Sequence, residues 1–263
     1  MTLPTTPGDM IGYSIRYLIL LILVGIPVES HSWVEEAVVV DEHGQRIGPL
    51  GYARCNVFRI PGVDVDQEMT YKLPQAPKSQ VTSTDNICSD RQAQLVTALA
   101  LQAAPGDVVS LRYQENGHIA LPEASPGKPD SGVVFVYGTW HPVPSAKFRD
   151  IHRVWGTLEP GSNEEEFLLT RSAFDDGQCY QVNEGQISRL RQATFPHESS
   201  PPEGENKWCA TNFTVPRWHT CRSASGAPSS ILTVYWIWDW PGSPGNSSAE
   251  QYYTTCLDVI VSG

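Results

Sequence analysis

The segment Ser230–Trp238 reads SILTVYWIW and is the strongest β-strand signal in the 263-residue chain. β-Branched and aromatic side chains pack well on a pleated, half-buried surface, so this composition favours a strand over a helix. We expect Trp236, Trp238 and Trp240 to lie in the core rather than to form a sugar-binding surface, because they fall in or beside this strand. The segment therefore predicts a sheet that packs face to face against another sheet.

Weaker strand signals and turn residues fill the rest of the chain. The predicted strands are Ala37–Val40, Val108–Tyr113, Val133–Tyr137 and Tyr252–Val261. A short helix is expected near Glu184–Gln192, whereas Gln92–Gln102 fits a short helix or a strand equally well. With 21 glycines and 21 prolines between these elements, the pattern indicates an all-β domain with long loops. Residues at about 139–206 are interpreted as an insertion between core strands.

The start of the chain has the pattern of a secretory signal. An apolar run, Tyr17–Val28, follows Arg16 and ends near the small residue Ser30. This run is shorter than the roughly 20 residues that span a bilayer. We therefore expect cleavage after Ser30, a secreted product without a membrane anchor, and one mature domain over 31–263.

Charge and cysteines are consistent with export. The chain carries a formal net charge of −11 at pH 7, which argues against nucleic acid as a partner, because phosphate contacts need clustered basic residues. Six cysteines in an exported chain indicate up to three disulfides, with fifteen pairings open. Asn212 and Asn246 begin N-glycosylation sequons.

Cleavage after Ser30 would make His31 the first residue of the mature protein. An N-terminal histidine offers its α-amine and its ring Nδ1 to a single metal ion, which no internal histidine can do. His118, in a loop after a strand, and Tyr253, near the last cysteine, could complete the ligand set. Imidazole and amine nitrogens suit Cu(II) in a tetragonal field, so these residues indicate one copper ion per chain.

With these residues, the chain resembles the fungal lytic polysaccharide monooxygenases, a family of secreted copper enzymes with an immunoglobulin-like antiparallel β-sandwich. The resemblance lies in His31 after the signal, in Gly106-Asp107 before Asn116-Gly117-His118, and in the segment Gln251–Cys256. A closer likeness is to an uncharacterised group of similar fungal proteins. That group opens His-Ser-Trp-Val-Glu and carries Trp-x-Trp-Asp-Trp-Pro, here Trp236–Pro241.

The resemblance implies a role for each matched residue. His31 and His118 would form the copper-binding histidine brace, Tyr253 would be the axial ligand and Gln251 a hydrogen-bond donor near bound oxygen. The segment Asp85–Cys88 implies a Cys88–Cys256 disulfide. Our working pairing for the other cysteines joins Cys179 to Cys209 and Cys55 to Cys221, although the sequence does not choose among the pairings.

The implied function is oxidative cleavage of a polysaccharide (cellulose, chitin or hemicellulose) at C1 or C4 by a monomer supplied with electrons by an external donor. Two alternatives stay open: a non-catalytic copper-binding protein on the same fold, and a metal-free sugar-binding protein of the cell wall. His118 is followed by Ile-Ala-Leu-Pro, where the family usually has Gly-Pro.

Other polar and aromatic residues receive simpler interpretations. Trp33 and Tyr52 are the candidates for a substrate-binding surface near the copper. Asp175-Asp176 is weak evidence for a calcium site, because two carboxylates do not make a full oxygen ligand set. The remaining histidines are interpreted as ordinary loop or surface residues: His43, His141, His152, His197 and His219.

Overall fold

The computed structural model describes residues 31–95, 98–125, 128–157, 165–197, 206–217, 229–242 and 250–262. Two β-sheets form the core of this part of the chain, which also has three short α-helices and a 3-10 helix at Pro122–Ala124. The α-helices are α1 (Val65–Met69), α2 (Phe148–Ile151) and α3 (Gln186–Thr194). The all-β prediction is therefore confirmed.

One sheet has four antiparallel strands in the order β2-β1-β5-β8. Their bounds are β1 (Glu36–Val40), β2 (Arg46–Gly51), β5 (Val108–Tyr113) and β8 (Cys209–Thr214). Side chains alternate along β5, so Val109, Leu111 and Tyr113 face the other sheet.

The second sheet has six strands, with the order β3-β10-β9-β6-β7 and with β4 pairing in parallel to β10. Their bounds are β3 (Lys72–Leu73), β4 (Leu101–Ala103), β6 (Val133–Thr139), β7 (Glu166–Ala173), β9 (Ser229–Trp240) and β10 (Gln251–Ser262). Strands β9 and β10 are the longest, and they pair over their full length. The segment interpreted as an insertion thus contributes an edge strand, β7, to this sheet.

Alternation along β9 separates two apolar clusters. Trp236, Trp238 and Trp240 face inward and fill the core between the sheets, as their strand composition predicted. Tyr235 and Ile237 face outward and pack under the segments that cover the second sheet, including α2. The last of these inward tryptophans, Trp240, lies at the end of the sandwich where β9 ends and β10 begins.

Among the described residues, none of the helices has the length and apolar character needed to cross a membrane.

Candidate metal centre

His118 is carried by a tight turn that begins directly after β5. Asn116 (φ 47°) and Gly117 (φ 81°) both have positive φ, and the His118 N–H donates to the Glu115 carbonyl at 2.9 Å. Two central residues at positive φ are typical of a type I′ turn, which favours the sequence Asn-Gly. The turn therefore fixes the direction in which His118 leaves the sheet.

A buried carboxylate holds this turn in place. Oε2 of Glu115 accepts hydrogen bonds from the N–H groups of Ile119 (2.7 Å) and Ala120 (3.2 Å), and Oε1 accepts from the N–H of Gln181 (2.7 Å). Burial raises the pKa of Glu115, although the three backbone donors partly oppose this effect. One side chain thus ties the His118 turn to the segment that follows Cys179.

The His118 ring is almost fully buried and has one nitrogen without a partner. Its ring centroid lies 5.4 Å from that of Trp238 and 4.9 Å from that of Trp240. Nδ1 lies 3.3 Å from Oγ of Ser125, whereas Nε2 has no hydrogen-bond partner among the described residues. Desolvation, together with the nearby charges of His31 and Lys128, lowers the pKa of His118 to about 3. The imidazole is therefore neutral at physiological pH and can offer a lone pair.

His31 is held by contacts on two sides. Its Nε2 lies 2.8 Å from Oδ2 of Asp66, in α1, and its carbonyl accepts a hydrogen bond from Nδ2 of Asn116 at 2.8 Å. The hydrogen bond from His31 lowers the pKa of Asp66, so this carboxylate stays ionised. A ring that donates through Nε2 has its lone pair on Nδ1, the nitrogen that can close a chelate with the α-amine.

Tyr253 lies on the inward face of β10 and is fully buried. Its ring stacks on Trp238 with centroids 4.9 Å apart, and its hydroxyl donates to Oε1 of Gln251 at 3.2 Å. Because the amide oxygen of Gln251 accepts this bond, its NH2 group is the end that can act as a donor to a ligand.

Side-chain contacts connect these residues at one end of the sandwich. Asn116 joins the His118 turn to His31, and the Trp238 ring contacts the rings of both His118 and Tyr253. A buried imidazole nitrogen without a partner, next to a second histidine oriented by a carboxylate, fits the donor set of a copper ion. Unpartnered buried polar atoms are uncommon and call for an explanation such as a bound ion.

Residues 28–263 match the family described as "Domain of unknown function (DUF7492)". The chain belongs to this family. No curated protein matches the chain. Among solved structures it is similar to one named CvAA9A, at 13% identity and a TM-score of 0.36, covering 89% of this chain and 79% of the other. A glycoside hydrolase family 61 member, Cel61B from Hypocrea jecorina, matches at 11% identity and a TM-score of 0.36, covering 89% and 82%.

The surface beside His31 in this DUF7492 chain differs from the prediction. Trp33 is only 2% exposed, because Ala53, Val65 and Met69 pack around it, so it cannot form a substrate surface. Tyr52 is partly exposed, and its ring meets Phe58 edge-on at 5.1 Å.

Two exposed apolar side chains in this region were missed by sequence reasoning: Phe58 is 50% exposed and Ile60 is 59% exposed. Both flank Arg59, which pairs with Asp66, the partner of His31, and with Glu35. Apolar surface in this region is therefore exposed at Tyr52, Phe58 and Ile60. We call it the Phe58 patch.

Two disulfides are formed within the described ranges of the chain. Cys88 is bonded to Cys256, which is the pairing implied by the resemblance, and Cys179 is bonded to Cys209, as in the working pairing. Cys88 lies in the loop segment that packs on the outer face of the second sheet, so the first bond attaches this segment to β10, close to Tyr253. The second bond attaches the segment that contains Gln181, whose backbone N–H donates to Glu115, to the edge strand β8.

The third working pair is not formed in the part of the DUF7492 chain that is described. Cys55 is a free thiol that sits at a positive φ of 53° and donates from Sγ to the Arg91 carbonyl at 2.9 Å. Its predicted partner, Cys221, lies outside the described residues. Of the sequon residues, Asn212 is exposed on β8, and Asn246 lies outside the described residues.

His152 was predicted to be an ordinary loop or surface residue, and this is wrong. The side chain is buried under the second sheet, and its Nε2 lies 3.0 Å from Oδ2 of Asp239. Asp239 was not recognised because its partner is distant in sequence. Of the other histidines, His43, His141 and His197 are exposed, and His219 lies outside the described residues.

The Asp175–Asp176 pair is explained by its loop. Asp175 forms an ion pair with Arg191, while Asp176 accepts hydrogen bonds from the N–H groups of Gln178, Cys179 and Ala210. An oxygen of each carboxylate lies within 4.8 Å of the Cys179 sulfur, which is in a disulfide and therefore not a free ligand. The arrangement therefore does not resemble a calcium site.

Proposed function

We propose that the mature protein, beginning at His31, is a secreted copper-dependent monooxygenase that cleaves a polysaccharide oxidatively. The observation that carries this proposal is the buried Nε2 of His118, which has no partner among the described residues and lies at the same end of the sandwich as His31 and Tyr253. The type of reaction is proposed from the sequence resemblance, and copper is proposed from the nitrogen and oxygen donors of these residues.

In this proposal, His31 would hold the ion through its α-amine and Nδ1, and His118 would hold it through Nε2. Tyr253 would supply its phenol oxygen as a further ligand. Asp66 orients the His31 ring through Nε2, and a carboxylate in this position raises the basicity of a ligating imidazole. Bound copper would supply one-electron redox chemistry to O2 or H2O2.

The remaining steps belong to the protein side chains. The NH2 group of Gln251 can donate a hydrogen bond to O2 or peroxide entering the site, because its amide oxygen is held by Tyr253. The Phe58 patch supplies an apolar surface on which sugar rings can stack, and Arg59 within it pairs with Asp66, the partner of His31. The stacked substrate would then present a C1 or C4 hydrogen to the centre.

The test begins with the amino terminus. N-terminal sequencing of the secreted protein should give His31 as the first residue, and that protein should bind one Cu(II) ion. A matched control carries one additional alanine before His31, which converts the α-amine into an amide and should abolish tight binding. Equal copper affinity in the two proteins would overturn the proposed centre.

Activity is tested separately. The copper-loaded protein is incubated with ascorbate and cellulose, chitin or xylan, and oxidised oligosaccharides are measured by mass spectrometry. Products at C1 or C4 support the monooxygenase.

Burial of His118 and Tyr253 favours a second candidate, a non-catalytic copper-binding protein, because a deeply placed ion is less accessible to a polymer. Tight copper binding with no oxidised product from any of these polymers would select it. Absence of copper binding would leave the metal-free sugar-binding protein.

A further inference from the structure

A cavity of about 290 Å³ opens on the outer face of the six-stranded sheet. Its floor is formed by side chains of β6, including Phe135 and Tyr137, whose rings are parallel with centroids 6.2 Å apart. Trp155 and Leu168 form its walls. Because outward-facing residues of β6 form this floor, the cavity lies on the opposite side of the sheet from His118 and Tyr253.

Arg171 provides a positive charge at this cavity. It lies opposite Phe135 in the β6–β7 pairing, and its guanidinium carbon is 5.1 Å from the centre of the Phe135 ring. In the part of the chain that the structure describes, no carboxylate forms an ion pair with Arg171. Its planar donor group is therefore available to an anion that enters the cavity.

A second arginine, Arg153, is held in a fixed position by a buried network. It has a positive φ of 61°, its N–H donates to the Tyr137 hydroxyl at 2.8 Å, and its Nη2 donates to Oδ2 of Asp239 at 2.6 Å. His152 contacts the same Asp239 oxygen at 3.0 Å. A non-glycine residue in this backbone region costs free energy and is concentrated at functional sites.

The charges at the cavity do not cancel. Asp239 faces Arg153 directly, so this pair is close to neutral, whereas Arg171 has no such partner among the described residues. The lining therefore combines aromatic and aliphatic surfaces with one unbalanced guanidinium.

From this chemistry we infer that the cavity binds a small planar aromatic carboxylate. The ligand ring would pack against Phe135 and Trp155, and its carboxylate would accept paired hydrogen bonds from Arg171. A one-ring ligand suits the volume, because pockets for larger, drug-sized ligands occupy roughly 300–1,000 Å³.

A sugar acid offers the same carboxylate but fits the lining less well. Each sugar hydroxyl needs a polar partner when it is buried. The Tyr137 hydroxyl and the Asp239 carboxylate already bond to Arg153 and His152, so the lining has few polar groups to spare.

The inference is tested with the metal-free mature protein and 4-fluorobenzoate, followed by ¹⁹F NMR. We expect saturable binding that benzoate displaces, and much weaker displacement by fluorobenzene, which lacks the carboxylate. Arg171→Gln should weaken binding about tenfold, because a charge-assisted pair is lost. Arg189→Gln, at an exposed arginine of α3, is the matched control and should leave binding unchanged.

A second variant tests the location without removing charge. Leu168→Trp should fill the cavity and prevent binding while the melting temperature shows that the fold persists. Absence of saturable binding, equal affinity in the wild type and Arg171→Gln, or better displacement by glucuronate than by benzoate would overturn the inference. Copper binding at His31 has no part in these measurements.

Discussion

Glu115 and Gln181 are 66 residues apart in sequence, yet the Glu115 carboxylate accepts a hydrogen bond from the Gln181 backbone N–H at 2.7 Å. The other oxygen of the same carboxylate holds the backbone just after His118. The segment interpreted as an insertion therefore positions a candidate metal ligand through Gln181, in addition to contributing the edge strand β7 to the second sheet. This relationship leads to the first prediction.

Replacing Glu115 should loosen the His118 turn. Glu115→Gln exchanges one carboxylate oxygen for an NH2 group, which cannot accept a hydrogen bond from a backbone N–H. We expect a loss of about 1–3 kcal/mol in the free energy of unfolding and a fall of about 10–100-fold in copper affinity. Urea unfolding and Cu(II) titration measure the two effects. Glu123→Gln, at an exposed position nearby, is the control, and an effect of equal size there would contradict the prediction.

His118 should be needed for copper but not for folding. Its Nε2 is buried without a partner among the described residues, so His118→Phe removes an unsatisfied polar atom from an aromatic pocket. We expect the metal-free variant to be at least as stable as the wild type, because such an atom costs about 1–3 kcal/mol. Stabilisation by Cu(II) in a thermal melt should disappear. His43→Ala, at an exposed loop, should retain it.

The sequence predicted the parts of the fold that depend on local pattern. The run Ser230–Trp238 identified a central strand, because apolar density and β-branching act within one segment. Trp33 and His152 were misjudged because their environments come from elsewhere in the chain. Residues 53–69 cover Trp33, and Asp239, 87 positions away, holds His152. No local signal reports either partner.

The candidate metal centre was also predicted only in part from the sequence. Residue type and spacing pointed to His31, His118 and Tyr253, whereas the residues that orient them were missed. Asp66 lies in a loop-rich part of the sequence, and Glu115 follows a strand. Most carboxylates at such positions are solvated. Only the folded arrangement distinguishes them from other acidic residues.

The Phe58 patch should contribute to polysaccharide binding. Phe58→Ala removes a half-exposed aromatic ring, adjacent in sequence to Arg59, without changing any candidate ligand. We expect weaker retention on the polymer that the protein oxidises or binds, by about 1–3 kcal/mol for an aromatic platform, with unchanged copper affinity. Pull-down isotherms measure the binding. Leu190→Ala, at an exposed apolar residue of α3, controls for general surface hydrophobicity; equal losses in both variants would argue against a specific patch.

The two disulfides should differ in their contribution to stability. Cys88 and Cys256 are separated by 168 positions, and Cys179 and Cys209 by 30. Because cross-linking a longer loop removes more entropy from the unfolded chain, the first bond should contribute about 1.5 kcal/mol more than the second. Double substitution to alanine at each pair, followed by denaturant unfolding, tests this. Equal losses, or a larger loss at Cys179–Cys209, would contradict it.

Asp239 should make the free energy of unfolding depend on pH in the acidic range. Burial opposes ionisation of this carboxyl, but the hydrogen bond from His152 and the charge of Arg153 outweigh burial, and the pKa of Asp239 is lowered from its usual 3.8. The unfolded chain therefore takes up this proton first as the pH falls. The stabilisation from the ionised carboxylate is present above about pH 3.8 and is lost as the pH drops toward the lower folded pKa.

Asp239→Asn isolates this effect. The variant should be less stable than the wild type at pH 7 by about 1–3 kcal/mol, since a buried charge-assisted network loses its acceptor. The difference should shrink below pH 3.8, where the wild-type carboxyl also becomes neutral. Urea unfolding at pH 7, 5 and 3 measures it, with Asp150→Asn at an exposed position of α2 as the control. A difference that stays constant from pH 7 to pH 3 would mean that Asp239 stabilises the fold through shape rather than through its charge.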